Sequence, residues 1–176
     1  MAPPRQGLDD SLRCELWKPS LGSLWPKGIC RSQVYWTARW LMHYLRIFST
    51  PQYCILIIRQ AERVVHYSAV CPRYFRIPAM AAEDLEITTT WTDPQYRGKG
   101  LAVYAIREIL KLKEMPARRF WYVTREANFA SIRVAEKSGL ILVGRGTRCN
   151  RLGSRLLGSF VLQQQEAITA ERKSGC

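Results

Sequence analysis

The residues with the clearest chemical purpose lie in Asp93-Pro94-Gln95-Tyr96-Arg97-Gly98-Lys99-Gly100-Leu101-Ala102. Gly98 and Gly100 permit positive φ and let a ligand approach the backbone closely. Arg97 and Lys99 add fixed positive charge. Residues 85–92, just before, read as a strand, and residues 101–113, just after, read as a helix. A strand, a basic glycine loop and a helix start together make an anion site, because loop amides and the positive end of the helix dipole point at one spot. The expected ligand is a phosphate or pyrophosphate. The dinucleotide fingerprint G-x-G-x-x-G is absent, and so is the G-K-[ST] of the nucleoside-triphosphate loop.

A domain must position that loop. Residues 53–58 read as a buried strand, 60–62 as a turn and 63–70 as the antiparallel partner. Residues 72–82 form a loop with two prolines and several basic and aromatic residues, leading to the strand from Leu85. Residues 35–48 read as an amphipathic helix. Trp36, Trp40, Leu41, Tyr44, Leu45, Ile47 and Phe48 fall on one side, and Arg39, His43 and Arg46 on the other. Its apolar side is expected to pack on the domain's own sheet. The helix after the loop turns Val103, Ile106 and Leu110 toward the sheet and is ended by Pro116. A strand is expected over 120–124. Asn128 is a good N-cap, and Gly139 suits the C′ position of the helix between them. Residues 140–143 and 157–162 read as the last two strands, with 148–153 turning between. Residues 1–30 are an extension with scattered Pro and Gly and no assigned element, 31–162 the domain, and 163–176 a polar tail. No internal repeat is visible. This order predicts a single α+β domain with a mixed sheet.

At 176 residues the chain is long enough for one domain with its own core. No apolar run approaches the ~20 residues of a membrane helix, and the N-terminus lacks the apolar centre of a signal peptide. The expectation is a soluble cytoplasmic protein. The six cysteines form no C-x-x-C pair and the two histidines lie far from any close cysteine pair, so metal ligation is not expected. Cys54 and Cys71 fall in strands and read as core fillers. The net charge of +13 admits three readings: an anionic cofactor, an anionic acceptor or nucleic acid. No nucleic-acid recognition motif is present.

Two motifs carry a resemblance. Arg97-x-x-Gly100-x-Ala102 fits R/Q-x-x-G-x-G/A. The run from Asn128 through Ser131, Glu136, Lys137 and Gly139 to Leu140 fits N-x-x-S-x-x-x-x-E-K-x-G-F, with Leu140 in place of Phe. In this order, separated by one helix and one strand, they resemble the GNAT superfamily of acyl-CoA-dependent N-acetyltransferases over residues 50–145. The resemblance implies a mostly antiparallel mixed sheet flanked by helices, with acetyl-CoA as acyl donor.

It also implies roles. The pantetheine arm would add to the sheet along Thr90, Trp91 and Thr92, mostly through main-chain groups. The N–H near Thr90 would polarise the thioester carbonyl. The pyrophosphate would sit on the amides of Arg97, Gly98, Lys99, Gly100, Leu101 and Ala102, and Asn128 would touch the pantetheine. Glu86 occupies a strand position from which some members supply a general base, a useful group because an amine of pKa ~10.4 is scarcely neutral at pH 7. His66, in the adjacent strand, is the rival base; Asp84 is a weaker one. The tyrosine that many members place seven residues after the asparagine is here Ala135, which leaves Ser131, Tyr104 and Tyr122 as hydrogen-bond donors to the departing sulfur. Arg73, Arg76, Arg145, Arg148, Arg151 and Arg155 would favour an anionic acceptor, such as a nucleotide-linked amino sugar. A protein or peptide amine, or a non-catalytic CoA-binding module, are the other readings. Members often dimerise, and by that analogy the last strand or tail is where a second copy would pack.

Overall fold

The computed structural model of the chain describes residues 11–29, 32–151 and 154–165. Its centre is β2 (Cys54–Gln60), whose first five residues, Cys-Ile-Leu-Ile-Ile, carry no polar group and are fully buried. Strand alternation sends Cys54, Leu56 and Ile58 into one core and Ile55 and Ile57 into another. Burying each such isoleucine or leucine contributes about 1.5–3 kcal/mol, so this strand must lie mid-sheet with both faces covered.

β1 (Leu12–Trp17) pairs antiparallel with β2 on one edge, and β3 (Arg63–Pro72) on the other. β4 (Leu85–Thr92) pairs antiparallel with β3, and β5 (Phe120–Trp121) runs parallel to β4, giving the order β1-β2-β3-β4-β5. α1 (Gln33–Tyr44) covers one face through Trp36. α2 (Leu101–Leu112) covers the other through Leu101, Ala105, Ile106 and Ile109, the spacing of a helix stripe. α3 (Phe129–Lys137) rests beside α2 and adds Val134 to that core. β6 (Gly144–Arg151) and β7 (Ser154–Gln165) form a separate antiparallel hairpin. The Phe160 N–H joins it to the loop before β4 by donating to the Arg76 carbonyl at 2.6 Å. The architecture is the α+β, mostly antiparallel sheet flanked by helices that the sequence implied.

Several details differ. The extension holds β1, because Leu12 and Leu16 pack on the α2-side core and Trp17 on the other. α1 stops at Tyr44: Leu45 caps it, Arg46 has φ of +54°, and Ile47 and Phe48 lie beyond. Its sheet-facing side carries Trp36 and, one turn on, Arg39, both buried, while Leu41 and Leu45 are exposed. The arginine turns inward because the sheet offers it polar partners. On α2 the buried positions are Leu101, Ala105, Ile106 and Ile109; Val103 and Leu110 are only half-buried. The strand expected over 120–124 pairs for two residues only. Residues 140–143 form no strand. The Leu140 N–H still closes the helix end on the Ala135 carbonyl, Gly139 has φ of +92°, and Ile141 and Leu142 are exposed. The strand starts at Gly144 and takes in Arg148–Arg151, expected as a turn, and β7 runs on through Gln163–Gln165, expected as tail. The rest of the tail lies outside the described residues.

Cys54 and Cys71 are buried, Cys14 and Cys149 exposed, and all four are free thiols. Among the described residues no helix is long and apolar enough to cross a membrane, and no group of three or more His, Cys, Asp or Glu side chains could hold a metal ion.

Asp84, 1% exposed, pins β5 against β4. Its carboxylate accepts from the Arg119 N–H at 3.0 Å, the Ala81 N–H at 2.8 Å and the Trp121 indole N–H at 2.8 Å. Asp84→Ala leaves these donors without their acceptor, and each such loss costs about 1–3 kcal/mol. The variant is expected to lose at least about 2 kcal/mol in urea unfolding, where a loss within 0.5 kcal/mol, typical of a surface change, would contradict the role.

Candidate active site

β4 is paired on both edges only at its start. Leu85 opposes Phe120 and Glu86 opposes Trp121; there β5 ends, while β4 runs on to Thr92. The edge of residues 87–92 that would face β5 is open, a row of N–H and C=O groups ready for an added strand.

The other edge of β4 contains a bulge. Ala69 pairs with Thr88 and Tyr67 with Trp91, so Ser68 opposes both Thr89 and Thr90. Thr89 has φ of +53°. A β-branched residue there costs about 1–3 kcal/mol, and its surroundings hold it in place. The Tyr35 hydroxyl on α1 lies 2.7 Å from Thr89 Oγ1. Beyond the bulge, Trp91 stacks on Tyr67 at 5.4 Å between centroids, giving that part of the strand a rigid aromatic floor.

After β4 the chain enters the anion loop. The Asp93 carboxylate accepts from the Gln95 N–H at 3.0 Å, capping a single 3-10 turn, Pro94–Tyr96. Its other oxygen takes the Arg63 guanidinium at 2.7 Å. Those bonds, the backbone bond first, hold the Asp93 carboxyl below the usual carboxylate range. The Arg97 Nε–H donates to the Thr92 carbonyl at 3.2 Å, and Lys99 Nζ lies 4.8 Å from the Tyr96 ring centroid. Gly98 has φ of +77°, with nothing within 4 Å of where a Cβ would stand. Gly100, φ +79°, is the N-cap of α2. The first α-helical bond after it runs from the Tyr104 N–H to the Gly100 carbonyl, so the amides of Leu101, Ala102 and Val103 precede the ladder. These amides, with Arg97 and Lys99, follow the end of β4, where the sequence predicts an anion. The Asn128 side chain caps α3 by accepting from the Ser131 N–H at 3.2 Å, with the Ser131 side chain half-buried beside it.

The two candidate bases lie on opposite faces of the sheet. His66 opposes Ile58 and so faces the α2-side core. It is fully buried; its Nδ1 lies 2.8 Å from Thr92 Oγ1 and its Nε2 3.0 Å from Ser68 Oγ. Ser68 donates to Thr90 Oγ1 at 3.2 Å. With that hydroxyl proton committed, the Ser68 oxygen accepts from Nε2–H and Nδ1 accepts from Thr92. Burial pushes the His66 pKa down to about 3, so the ring is neutral at pH 7.

Glu86 opposes Cys71 and faces the α1-side core, 1% exposed. Its Oε1 lies 3.7 Å from the Arg76 guanidinium, and its Oε2 is buried without a hydrogen-bond partner. Burial raises its pKa, and Arg76 and Arg39 pull part of the way back. Arg39 donates to Tyr74 Oη at 3.0 Å and to Cys71 Sγ at 3.4 Å, and stacks between the Tyr35 and Tyr74 rings at 5.3 and 4.9 Å. Burial works against its charge, yet the pKa is raised overall and the guanidinium stays ionised, with the Glu86 carboxylate as its counter-charge and Tyr74 and Cys71 as hydrogen-bond acceptors. The Cys71 thiol is pushed up by burial to about 12 and is protonated at pH 7. Two guanidinium groups thus stand beside one reluctant carboxylate.

Tyr35, Arg39 and Tyr74 went unread in the sequence as site residues. The i, i+3 spacing of Arg39 from Trp36 was their one available signal. The arginines named at the C-terminal end divide. Arg145 makes an exposed ion pair with Glu126 at 3.3 Å, Arg148 is exposed, and the side chains of Arg151 and Arg155 lie outside the described residues.

Comparison with known proteins adds independent evidence. The profile described as the Acetyltransferase (GNAT) family matches residues 15–140, well over half the chain. No curated protein matches the sequence. Among solved structures, the chain is similar to the aminoglycoside N-acetyltransferase AAC(6')-Iy in complex with CoA, at 12% identity, TM-score 0.57, covering 85% of this chain and 99% of that one. It is similar to the aminoglycoside 6'-N-acetyltransferase AAC(6')-Ih from Acinetobacter baumannii at 14% identity, TM-score 0.54, covering 80% and 97%. An integron cassette protein from the mobile metagenome of V. cholerae is similar at 12% identity, TM-score 0.51, covering 82% and 94%. At these identities the likeness is one of fold.

His66 generates a pH test. Its folded pKa of about 3 lies below the ordinary 6.5, so its contribution is present above pH 6.5 and is lost as pH falls toward 3. Below pH 6.5 it adds a slope of up to about 1.4 kcal/mol per pH unit. His66→Gln should flatten urea-unfolding stability between pH 6.5 and 4.5; an unchanged slope would refute the buried neutral ring.

Proposed function

The chain belongs to the acetyltransferase (GNAT) family, and from that premise we propose that it moves the acetyl group of acetyl-CoA to a primary amine of a small acceptor carrying negative charge, by direct attack in a ternary complex. Membership makes it an acetyl-CoA-dependent acetyltransferase; the acceptor and the residue roles are the proposal. The observation that carries it is a single strand: β4 ends in the anion loop, has one open edge, and bears Glu86 with an unpartnered carboxylate oxygen.

In this reading the pantetheine lies along Thr90, Trp91 and Thr92, and the pyrophosphate is cradled by the amides and charges of Arg97, Gly98, Lys99, Gly100, Leu101 and Ala102. Asn128 and Ser131 at the start of α3 border the arm. The Thr90 N–H donates to the thioester oxygen, where negative charge grows as the carbonyl becomes tetrahedral. Glu86 Oε2 receives the proton of the attacking amine, and its burial raises its basicity toward the working pH. The tetrahedral centre then collapses with loss of the CoA thiolate, which Ser131 can steady by a hydrogen bond. His66 takes no proton; it keeps Thr92 in register directly and Thr90 through Ser68. Arg76 and Arg39 supply the charge that favours an anionic acceptor, such as a nucleotide-linked amino sugar. That excess of positive over negative groups favours it over a peptide amine.

Thermal unfolding with excess acetyl-CoA tests the donor site. At ~100 times its dissociation constant a ligand adds about 2.7 kcal/mol, roughly 5–10 °C for a domain this size. The shift should vanish in Arg97→Ala/Gly100→Ala. An acceptor screen read by release of CoA thiol should find turnover among amino sugars and their nucleotide-linked forms; turnover of peptide amines alone would overturn the small-acceptor reading. Glu86→Gln should lower kcat about 10²–10⁴-fold and abolish the acidic limb of the pH–rate profile while leaving acetyl-CoA binding intact. Arg76→Ala should raise KM for anionic acceptors and leave neutral ones nearly unchanged.

A further inference from the structure

Thr89 takes, within a β-bulge, the left-handed backbone that the G1 type of bulge gives to glycine. It is one of two residues opposing Ser68, its φ is +53°, and its side chain is β-branched. Nothing in the strand's own sequence favours that backbone. The compensation comes from another element: the Tyr35 hydroxyl of α1, 54 residues away, lies 2.7 Å from Thr89 Oγ1. Tyr35 is itself fixed. Its ring meets Trp36 edge-on at 5.1 Å, Arg39 stacks 5.3 Å from its centroid, and Trp36 is 2% exposed in the core. On the far side of the bulge the Ser68 hydroxyl holds Thr90 Oγ1 at 3.2 Å. The two bulge residues are thus gripped from opposite faces of the sheet, Thr89 by α1 and Thr90 by the His66–Ser68 chain.

We infer that Tyr35 is a positioning residue: its hydroxyl keeps Thr89 in the left-handed backbone and so aims the following amide, the N–H of Thr90, at the thioester carbonyl. The inference rests on the proposed placement of acetyl-CoA along β4. It links the α1 wall, where Arg39 and Glu86 cluster, to the group that polarises the thioester. Tyr35 touches neither donor nor acceptor in this role. It acts through the peptide plane between Thr89 and Thr90, which turns if Thr89 relaxes to negative φ.

Glycine has no penalty at positive φ, so a glycine at 89 makes the tyrosine dispensable. That supplies a test which simple loss of packing would fail. Wild type, Tyr35→Phe and Tyr35→Phe/Thr89→Gly are compared in two measurements. In hydrogen–deuterium exchange, amides of residues 87–92 are expected to exchange about tenfold faster in Tyr35→Phe, the size of one hydrogen bond's net contribution, and to return to the wild-type rate in the double variant. In calorimetric titration, Tyr35→Phe should leave the Kd for CoA unchanged and weaken acetyl-CoA several-fold, because CoA lacks the carbonyl; Thr89→Gly should restore it. Wild-type exchange in Tyr35→Phe, equal weakening of both ligands, or failure of the glycine to rescue would overturn the inference. A wild-type chain that binds neither ligand would sink the placement along β4 instead, and the exchange data would still decide whether Tyr35 holds the bulge. Should Tyr35→Phe not fold, Thr89→Ala, which lacks the hydroxyl but keeps the backbone problem, is expected to show the same losses.

Discussion

Asp84 holds the start of β5 against the start of β4: its one buried carboxylate accepts two hydrogen bonds from that side, from Arg119 and Trp121, and is itself steadied by a third from the Ala81 N–H. Because the grip is at one end, the two strands touch over two residue pairs and then part. Pairing continued along the whole of β4 would close its edge and leave no main-chain groups for a ligand. A weaker grip would let β5 drift and remove the covering of the α2-side core by Phe120. The open edge, the glycine loop at its end and the helix that follows all take their places from that contact.

The second organising constraint is the two-faced sheet. Each face has its own apolar core, and each admits a small set of polar groups near the open edge. On the α2 side, Thr92, His66, Ser68 and Thr90 are linked in turn by hydrogen bonds that use both ring nitrogens of the histidine. On the α1 side the set is charged and unbalanced: Arg39 and Arg76 around Glu86, whose Oε2 has no partner. A fully satisfied buried network rigidifies, whereas an unsatisfied carboxylate is costly unless something else uses it. That physical difference between the faces is what the proposed roles of His66 and Glu86 rest on.

Much of this was legible in the chain. The loop from Arg97 to Ala102 announced itself through glycine and charge, and Asn128 and Gly139 marked both ends of α3 by capping chemistry alone. The apolar run at the start of β2, bounded by turn residues, read as a buried strand; its place inside the sheet, between β1 and β3, came from the pairing. What stayed hidden depends on contacts between distant segments. Arg39 looks like a surface residue until Cys71, Tyr74 and Glu86 are seen around it. The bulge cannot be read from Thr88-Thr89-Thr90, because a two-against-one mismatch exists only once β3 is paired. The end of β5 after Trp121 is likewise invisible in residues 120–124, which read as strand throughout. β1 lacked any local signal, since its pairing with β2 and not its composition makes it a strand.

An open strand edge has another side. The same row of N–H and C=O groups proposed to receive a pantetheine arm is a template for a strand from any neighbouring chain, which is how edge-to-edge aggregation begins. The bulge at Thr89 counters this, because a bulge bends and twists its strand and spoils the flat register that a second chain would need. In crowded surroundings the empty protein is therefore the vulnerable form, and on the proposed placement a bound cofactor would shield it much as a missing strand would.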